Sequence, residues 1–295
     1  GGISISGKVG TQDLELDRIM DKIPVRYCSM EAGLKAHVVP GGKDASLTID
    51  SLKISRLNFM DYDYSGIAAA GTLSGHQFNG KVICNDPNLN FMFQGIFSLS
   101  GKTRNSLYRF YANIGYADLH AMNLDKRGKS RVSLQTTADF TSTPHGEVLG
   151  DVNIADITLE NSEGRYDIGD IRISSFTGSG RYRIRLTSAF AEGSYIGSAP
   201  LNSFAKDLAG ITLKKELPAI AADSLYRLGN AYYELSFKTH DTMDLLAFCV
   251  PGLYIADGTS LKADIDRSGT FNAKLVSQRI AFNEHYIKDV DFEAS

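Results

Sequence analysis

The sequence predicts a mainly β protein in which antiparallel strands are joined by short turns, with a few short helices among them. Two observations support this prediction. Apolar and polar side chains alternate over many short stretches, and clusters of Gly, Pro, Asn and Asp separate those stretches. Because successive side chains of a strand point to opposite faces, such alternation is typical of a sheet with one buried and one solvated face.

The clearest alternating stretches begin at Leu89, Tyr108 and Arg181. Their expected apolar faces carry Leu89, Phe91, Phe93, Phe97, Leu99, Tyr108, Phe110, Ala112, Ile114, Tyr182, Ile184 and Leu186. Shorter runs place further residues in the same way, namely Leu47, Ile49, Ile171, Ile173, Leu261, Ala263, Ile265, Phe271, Ala273 and Leu275. Turn signals between the runs predict hairpins and meanders, and they lie at Pro40–Gly42, Asp86–Asn88, Thr143–Gly146, Gly178–Gly180 and Ser268–Gly269.

Helical patterning is confined chiefly to Pro200–Leu208, Pro218–Leu228 and Asp241–Cys249. The first two segments open with a proline, which is well accommodated at the first helical position. These helices predict a boundary near Ala199, between a long antiparallel β-sheet module of residues 1–199 and a helix-containing β module of residues 200–295. One continuous sheet with a helical insert is the alternative.

Composition argues against several functional classes. Lys and Arg number 31 against 34 Asp and Glu, so the net charge of −3 provides no general attraction to nucleic acid. The histidines and cysteines show no metal-ligand spacing, and no nucleophile motif occurs. We therefore expect a non-enzymatic protein with no cofactor, no metal and no nucleic-acid partner, in which Cys28, Cys84 and Cys249 are buried thiols. A carbohydrate-acting enzyme is the alternative if two distant carboxylates converge in a cleft.

Three local motifs have a structural and a chemical interpretation. Gly95–Thr103 has five residues between its glycines where a phosphate-binding loop has four, so we expect a hairpin turn. Asp61–Gly66 begins like a calcium loop, but Thr72 stands where the loop needs glutamate, which favours a polar turn. The arginines of one predicted polar face form either an anion patch for lipid headgroups or nucleic acid, or a solvated face that discourages edge pairing. They are Arg172, Arg181, Arg183 and Arg185.

Several segments of the sequence are similar to segments found in one known protein family. They are Gly71–Gly75 leading into Phe78–Gly80, Asp86–Phe91 with Gly95, Tyr111–Leu119, Asn161–Tyr166 and the run from Phe248 through Pro251–Leu253 to Gly258–Leu261. In these segments the chain resembles the TamB/AsmA-like envelope proteins of Gram-negative bacteria. The resemblance implies an elongated, curved antiparallel sheet, a β-taco or open trough with an apolar inner face. It also implies a periplasmic fragment whose parent is anchored in the inner membrane by a segment outside this sequence.

The resemblance implies two functions in outer-membrane biogenesis. In the first, the apolar trough holds or conducts phospholipid acyl chains between membranes; in the second, the chain is a scaffold that assists assembly or secretion of outer-membrane β-barrel proteins by strand pairing. The candidate lipid-facing residues are Phe91, Phe93, Phe97, Tyr108, Phe110, Ile114, Tyr182, Ile184, Leu186, Phe271 and Leu275. An apolar face must be covered, and the alternation fits a second sheet of a closed sandwich as well as it fits a lipid.

Overall fold

The computed structural model describes residues 2–17, 24–38, 45–98, 105–144, 146–204, 206–208 and 231–295. Its strands belong to one long antiparallel sheet, and 71% of the described residues lie in strands and 6% in helices, which confirms the mainly β prediction. Residue contacts divide the chain into two compact units, Gly1–Pro144 with Ile154–Asp167, and His145–Asn153 with Ile168–Ser295. The predicted boundary near Ala199 stays a prediction.

The first unit is built from antiparallel strands that pair with the next strand, or the next but one, along the chain. They are β1 Ile3–Glu15, β2 Val25–Val38, β3 Ala45–Phe59, β4 Tyr62–Tyr64, β5 Ile67–Ser74, β6 Gln77–Asp86, β7 Leu89–Ser98, β8 Ser106–Asp118 and β9 Ser130–Ser142. Strands β10 Val148–Asn161 and β11 Arg165–Gly178 contribute residues to both units.

The second unit continues the antiparallel pairing from β11 to the last strand. Its strands are β12 Arg181–Ser188, β13 Ala191–Gly197, β14 Tyr233–Thr239, β15 Leu253–Ile255, β16 Ser260–Ile265, β17 Phe271–Phe282 and β18 His285–Ala294. Helix α1 covers residues 201–204 and 206–208, and helix α2 is Met243–Cys249. Two predicted helices are thus observed, whereas Pro218–Leu228 lies outside the described residues.

The strand register separates apolar from polar side chains in both units. Residues directly opposite each other in an antiparallel pair lie on the same face of the sheet. Phe93 of β7, for example, lies opposite Val82 of β6 and Ala112 of β8. An irregularity in the β8–β9 pairing keeps Ile114 and Ala117 on this face although they are three positions apart. The apolar face is therefore continuous across these strands.

The predicted turns are observed where the structure describes them. Turns at residues 87–88, 179–180 and 267–268 join β6 to β7, β11 to β12 and β16 to β17. Ser179 and Gly180 both have positive φ, as a tight two-residue hairpin turn requires. Pro40–Gly42, Leu99 and the tip of the β7–β8 hairpin at residues 99–104 lie outside the described residues, as does His145 in the turn predicted at Thr143–Gly146.

Candidate functional site

Aromatic side chains from four neighbouring strands lie together on the apolar face of the first unit. The ring of Phe93 is centred 5.5 Å from Phe97 and 5.3 Å from Phe110. Phe97 in turn lies 5.3 Å from Phe78, and Tyr108 stacks on Phe140 at 4.6 Å. We call this group the aromatic face, and its members are Phe78, Phe91, Phe93, Phe97, Tyr108, Phe110 and Phe140.

The aromatic face is shielded by its own rings. Phe93 is only 9% exposed, and Phe78 is buried to a similar degree, whereas the other members remain half-buried. All described strands belong to one sheet, so no described strand of a second sheet covers these rings. The contacts with Phe97 and Phe110, at centroid separations typical of favourable aromatic pairs, contribute to the burial of Phe93.

A row of three glycines crosses the sheet beside the aromatic rings. Gly80 lies opposite Gly71 on one side and Gly95 on the other. A Cβ at Gly80 would lie 2.6 Å from Cζ of Phe78 and 2.3 Å from the carbonyl oxygen of Ala70. The Phe78 ring therefore occupies the space that a side chain at Gly80 would fill, an arrangement that protects glycine in a strand.

One end of the same apolar face is closed by the segment that joins β8 to β9. Met122 of that segment is 2% exposed and packs in a buried cluster with Tyr64 and Ala117. Tyr62 meets Tyr64 edge to face with ring centroids 4.7 Å apart. Asp118 holds the segment in place by accepting hydrogen bonds from its backbone at Ala121 and from β9.

A buried carboxylate lies on the apolar face beside this cluster. Asp86 accepts a hydrogen bond of 2.5 Å from the Tyr62 hydroxyl and bonds of 2.9 Å from the backbone N–H groups of Ser65 and Asn88. Burial alone would raise the pKa of Asp86, but these donors together lower it below its ordinary value. Burial, and then the bond to Asp86, raise the pKa of Tyr62 to about 12. The pair is a satisfied structural contact in which Asp86 is ionised and Tyr62 is neutral.

The apolar face of the second unit is covered by a helix, whereas the described residues of the first unit include no helix. Phe204 of α1 meets the ring of Tyr233 edge to face, with centroids 5.7 Å apart. Beneath it Tyr195, Tyr233 and Ile265 are each no more than 2% exposed. The Tyr233 hydroxyl donates to Asp207 of α1, and the Tyr195 hydroxyl donates to the carbonyl of Ala199 at 2.5 Å. Helix α1 thus closes this part of the face as a packed core.

The structure divides the predicted lipid-facing residues into two groups. One group lies together on the apolar face of the first unit and comprises Phe91, Phe93, Phe97, Tyr108, Phe110 and Ile114. In the second unit Tyr182, Ile184 and Phe271 pack against the cluster beneath α1. Leu186 and Leu275 lie half-buried on the same face, outside that cluster. Phe140 escaped the sequence analysis, although its alternation with Asp139 and Thr141 was a usable signal.

The structure overturns one expectation about the cysteines and gives the contacts of the calcium-like segment. Cys28 and Cys84 are buried as expected, but the prediction of a buried Cys249 is wrong. Cys249 ends α2 on its exposed side, while the preceding Phe248 fills the buried side. In the calcium-like segment, Asp63 is occupied by hydrogen bonds from Tyr27, Asn58 and Arg56.

The four arginines of the predicted polar face differ in their contacts and do not form one anion patch. Arg181 lies over the ring of Tyr232, and Arg183 lies 5.7 Å from the centroid of Phe176. Arg172 pairs with Asp170 at 3.6 Å. Arg185 is the member for which the described residues supply no such partner.

Comparisons with known proteins do not identify a family for this chain. No family model, curated protein or solved structure matches the chain. Within the described part of the chain no group of His, Cys, Asp or Glu side chains has the arrangement of a metal site. The helices described there are too short or too polar to cross a membrane.

Proposed function

We propose that this chain is a periplasmic piece of a TamB/AsmA-like protein and that its apolar sheet face holds phospholipid acyl chains during transfer between membranes. The observation that carries the proposal is the aromatic face, whose rings lie on four adjacent strands of one sheet and, apart from the buried Phe78 and Phe93, remain partly exposed. The proposal includes no enzymatic step and no cofactor.

The physical argument rests on the surface that the aromatic rings leave uncovered. Half-buried aromatic side chains in a contiguous group favour an apolar partner, because removing their surface from water is favourable. An acyl chain gains about 0.8 kcal/mol for each methylene that it buries. Burial of about six methylenes against the aromatic face therefore contributes roughly 5 kcal/mol, enough to retain a lipid transiently.

Helix α1 restricts where the lipid is expected in the second unit. Tyr182, Ile184 and Phe271 pack against the cluster that Phe204 covers, so an acyl chain and Phe204 compete for the same surface. These three predicted contacts become available only when α1 leaves the sheet. We therefore expect the lipid to contact the aromatic face of the first unit as long as α1 remains packed on the sheet.

Site-specific photo-crosslinking tests the proposal with a control on the same strand. A photoreactive amino acid is introduced at Phe110, on the apolar face, or at Arg109, which points to the opposite face and pairs with Asp139 at 3.0 Å. After expression in a Gram-negative host, we expect phospholipid attached to position 110 and little at position 109. Equal labelling at both positions, or none at 110, would refute the proposed lipid contact.

A second candidate function is a strand-pairing scaffold for outer-membrane β-barrel proteins. The strands at the two ends of the described sequence expose large apolar side chains, with Ile5 of β1 at 65% and Ile287 of β18 at 66% exposure. Exposed apolar residues on such strands favour pairing with an extended client segment. Photo-crosslinkers at Ile5 and Tyr286 should capture client strands. Capture of lipid alone at both positions would argue against the scaffold.

A further inference from the structure

A shallow depression on the polar face of the second unit is lined by cations and hydroxyls from four strands. Arg185 of β12 lies opposite Ser194 of β13, which lies opposite Ser236 of β14, which lies opposite Lys262 of β16. Lys238, one step along this face of β14 from Ser236, lies opposite Ser260. Two serines therefore form the floor of one row, with a long cationic side chain at each end.

The three cations of this depression have no ion pair among the described residues. Neighbouring cations on the same face differ, because Arg183 lies over Phe176 and Lys274 pairs with Glu293 at 2.6 Å. Arg185, Lys238 and Lys262 make no ion pair, ring contact or side-chain hydrogen bond with that part of the chain.

The depression also contains a carboxylate, which reduces its charge without cancelling it. Glu192 lines the same depression, and its carboxylate lies 3.9 Å from Nε2 of His240. Three cations and one carboxylate leave a formal charge of +2. An anion placed between the cations therefore gains attraction from three side chains and meets repulsion from one.

From this arrangement we propose that the depression binds a phosphate group, either of a free phosphate ester or of an anionic lipid headgroup at a membrane surface. Adjacent strands lie about 4.8 Å apart, so the backbones of Arg185 and Lys262 are about 14 Å apart across the serine floor. Both side chains are long enough to reach inward over Ser194 and Ser236. Guanidinium and ammonium groups with serine hydroxyls supply the donors that phosphate oxygens accept.

The proposed phosphate site is independent of the acyl-chain proposal. Arg185 and Lys262 lie on the polar face, whereas the adjacent Leu186 and Leu261 point to the apolar face of the same sheet. A headgroup bound here cannot belong to a lipid whose chains contact Leu186 directly, because the sheet separates the two surfaces. Failure of acyl binding would therefore leave the phosphate site untouched, and the reverse also holds.

The test measures anion binding by the whole chain and by matched variants. Calorimetric titrations use inorganic phosphate and glycerol 3-phosphate, and flotation assays use vesicles of phosphatidylglycerol with phosphatidylcholine against vesicles of phosphatidylcholine alone. Arg185→Gln and Lys262→Gln are expected to weaken binding about fivefold each, because an exposed charge pair contributes up to roughly a factor of five. Arg183→Gln, on the same strand and face, is the control and should bind as the parent chain does.

The two sources of phosphate give different results. Binding of glycerol 3-phosphate without vesicle flotation indicates a soluble phosphate ester, whereas flotation that requires phosphatidylglycerol indicates a headgroup. Both results support the site if Arg185→Gln and Lys262→Gln weaken binding and added salt does so as well. Absence of binding in every assay, or equal weakening by Arg183→Gln, would overturn the proposal. Unchanged thermal unfolding of the variants excludes misfolding as the cause.

Discussion

Substitution of Phe110 by aspartate is the sharpest test of lipid binding by the aromatic face. Phe110 is half-buried and contacts Phe93 at 5.3 Å, so replacing it removes about half of the ~4 kcal/mol that a buried phenylalanine contributes. The carboxylate adds about 1 kcal/mol because it displaces an apolar contact while keeping access to water. The expected loss of about 3 kcal/mol lies below the roughly 5 to 15 kcal/mol that stabilises a typical domain. We therefore expect the Phe110→Asp variant to fold.

Lipid retention should fall much further than stability in this variant. A carboxylate that faces hydrocarbon loses hydration without gaining a partner, and a cost of about 3 kcal/mol corresponds to roughly hundredfold weaker binding. Two quantities are measured for each variant: its thermal unfolding temperature and the amount of phospholipid that copurifies from a Gram-negative host. The control is Asn113→Asp, on the polar face of the same strand. A folded Phe110→Asp variant that retains as much lipid as the unsubstituted chain would refute the reasoning. Unfolding of this variant, with no lipid on the unsubstituted chain, would indicate a closed core.

Four further outcomes follow from particular contacts. Phe93→Asp should unfold the first unit, because a ring that is 9% exposed is lost and a carboxylate is buried, at a combined cost of about 6 kcal/mol. Gly80→Ala should lower the thermal unfolding temperature by several degrees, because its Cβ meets Phe78, whereas Gly7→Ala should have little effect, because nothing lies within 4 Å of a Cβ there. Asp86→Asn should cost about 2 kcal/mol at neutral pH by urea unfolding. Since folding lowers the Asp86 pKa, its contribution is present above the unfolded value near 4 and is lost as pH falls through the folded value, so the difference between the two proteins should shrink in acid. Phe204→Ala should expose the second apolar face and increase binding of an apolar fluorescent dye, whereas unchanged dye binding would show that Phe204 is not the cover.

The assignment of side chains to sheet faces was predictable from the sequence because it depends on local alternation. Phe91, Phe93 and Phe97 lie on one face because they are spaced by even numbers within one strand. The partners of these strands and the burial of Asp86 were not predictable in this way. Asp86 lies on the apolar face of its strand, and two of its donors come from Tyr62 and Ser65, more than twenty residues earlier. From alternation alone, a carboxylate is not expected at this position on the apolar face of the strand.

The pattern of alternation also leaves open what covers an apolar face, and this decides function. Ile184 and Phe110 lie in strands with similar alternation, yet Ile184 packs against a cluster closed by Phe204, while Phe110 packs among rings of its own sheet. The difference arises from α1, which the chain inserts between β13 and β14 and fastens through Tyr233 and Asp207. A face closed by its own helix has already satisfied its apolar surface and binds a lipid only at the expense of that packing. A face without such a helix gains the full benefit of an acyl chain, so lipid should label Phe110 before it labels Ile184.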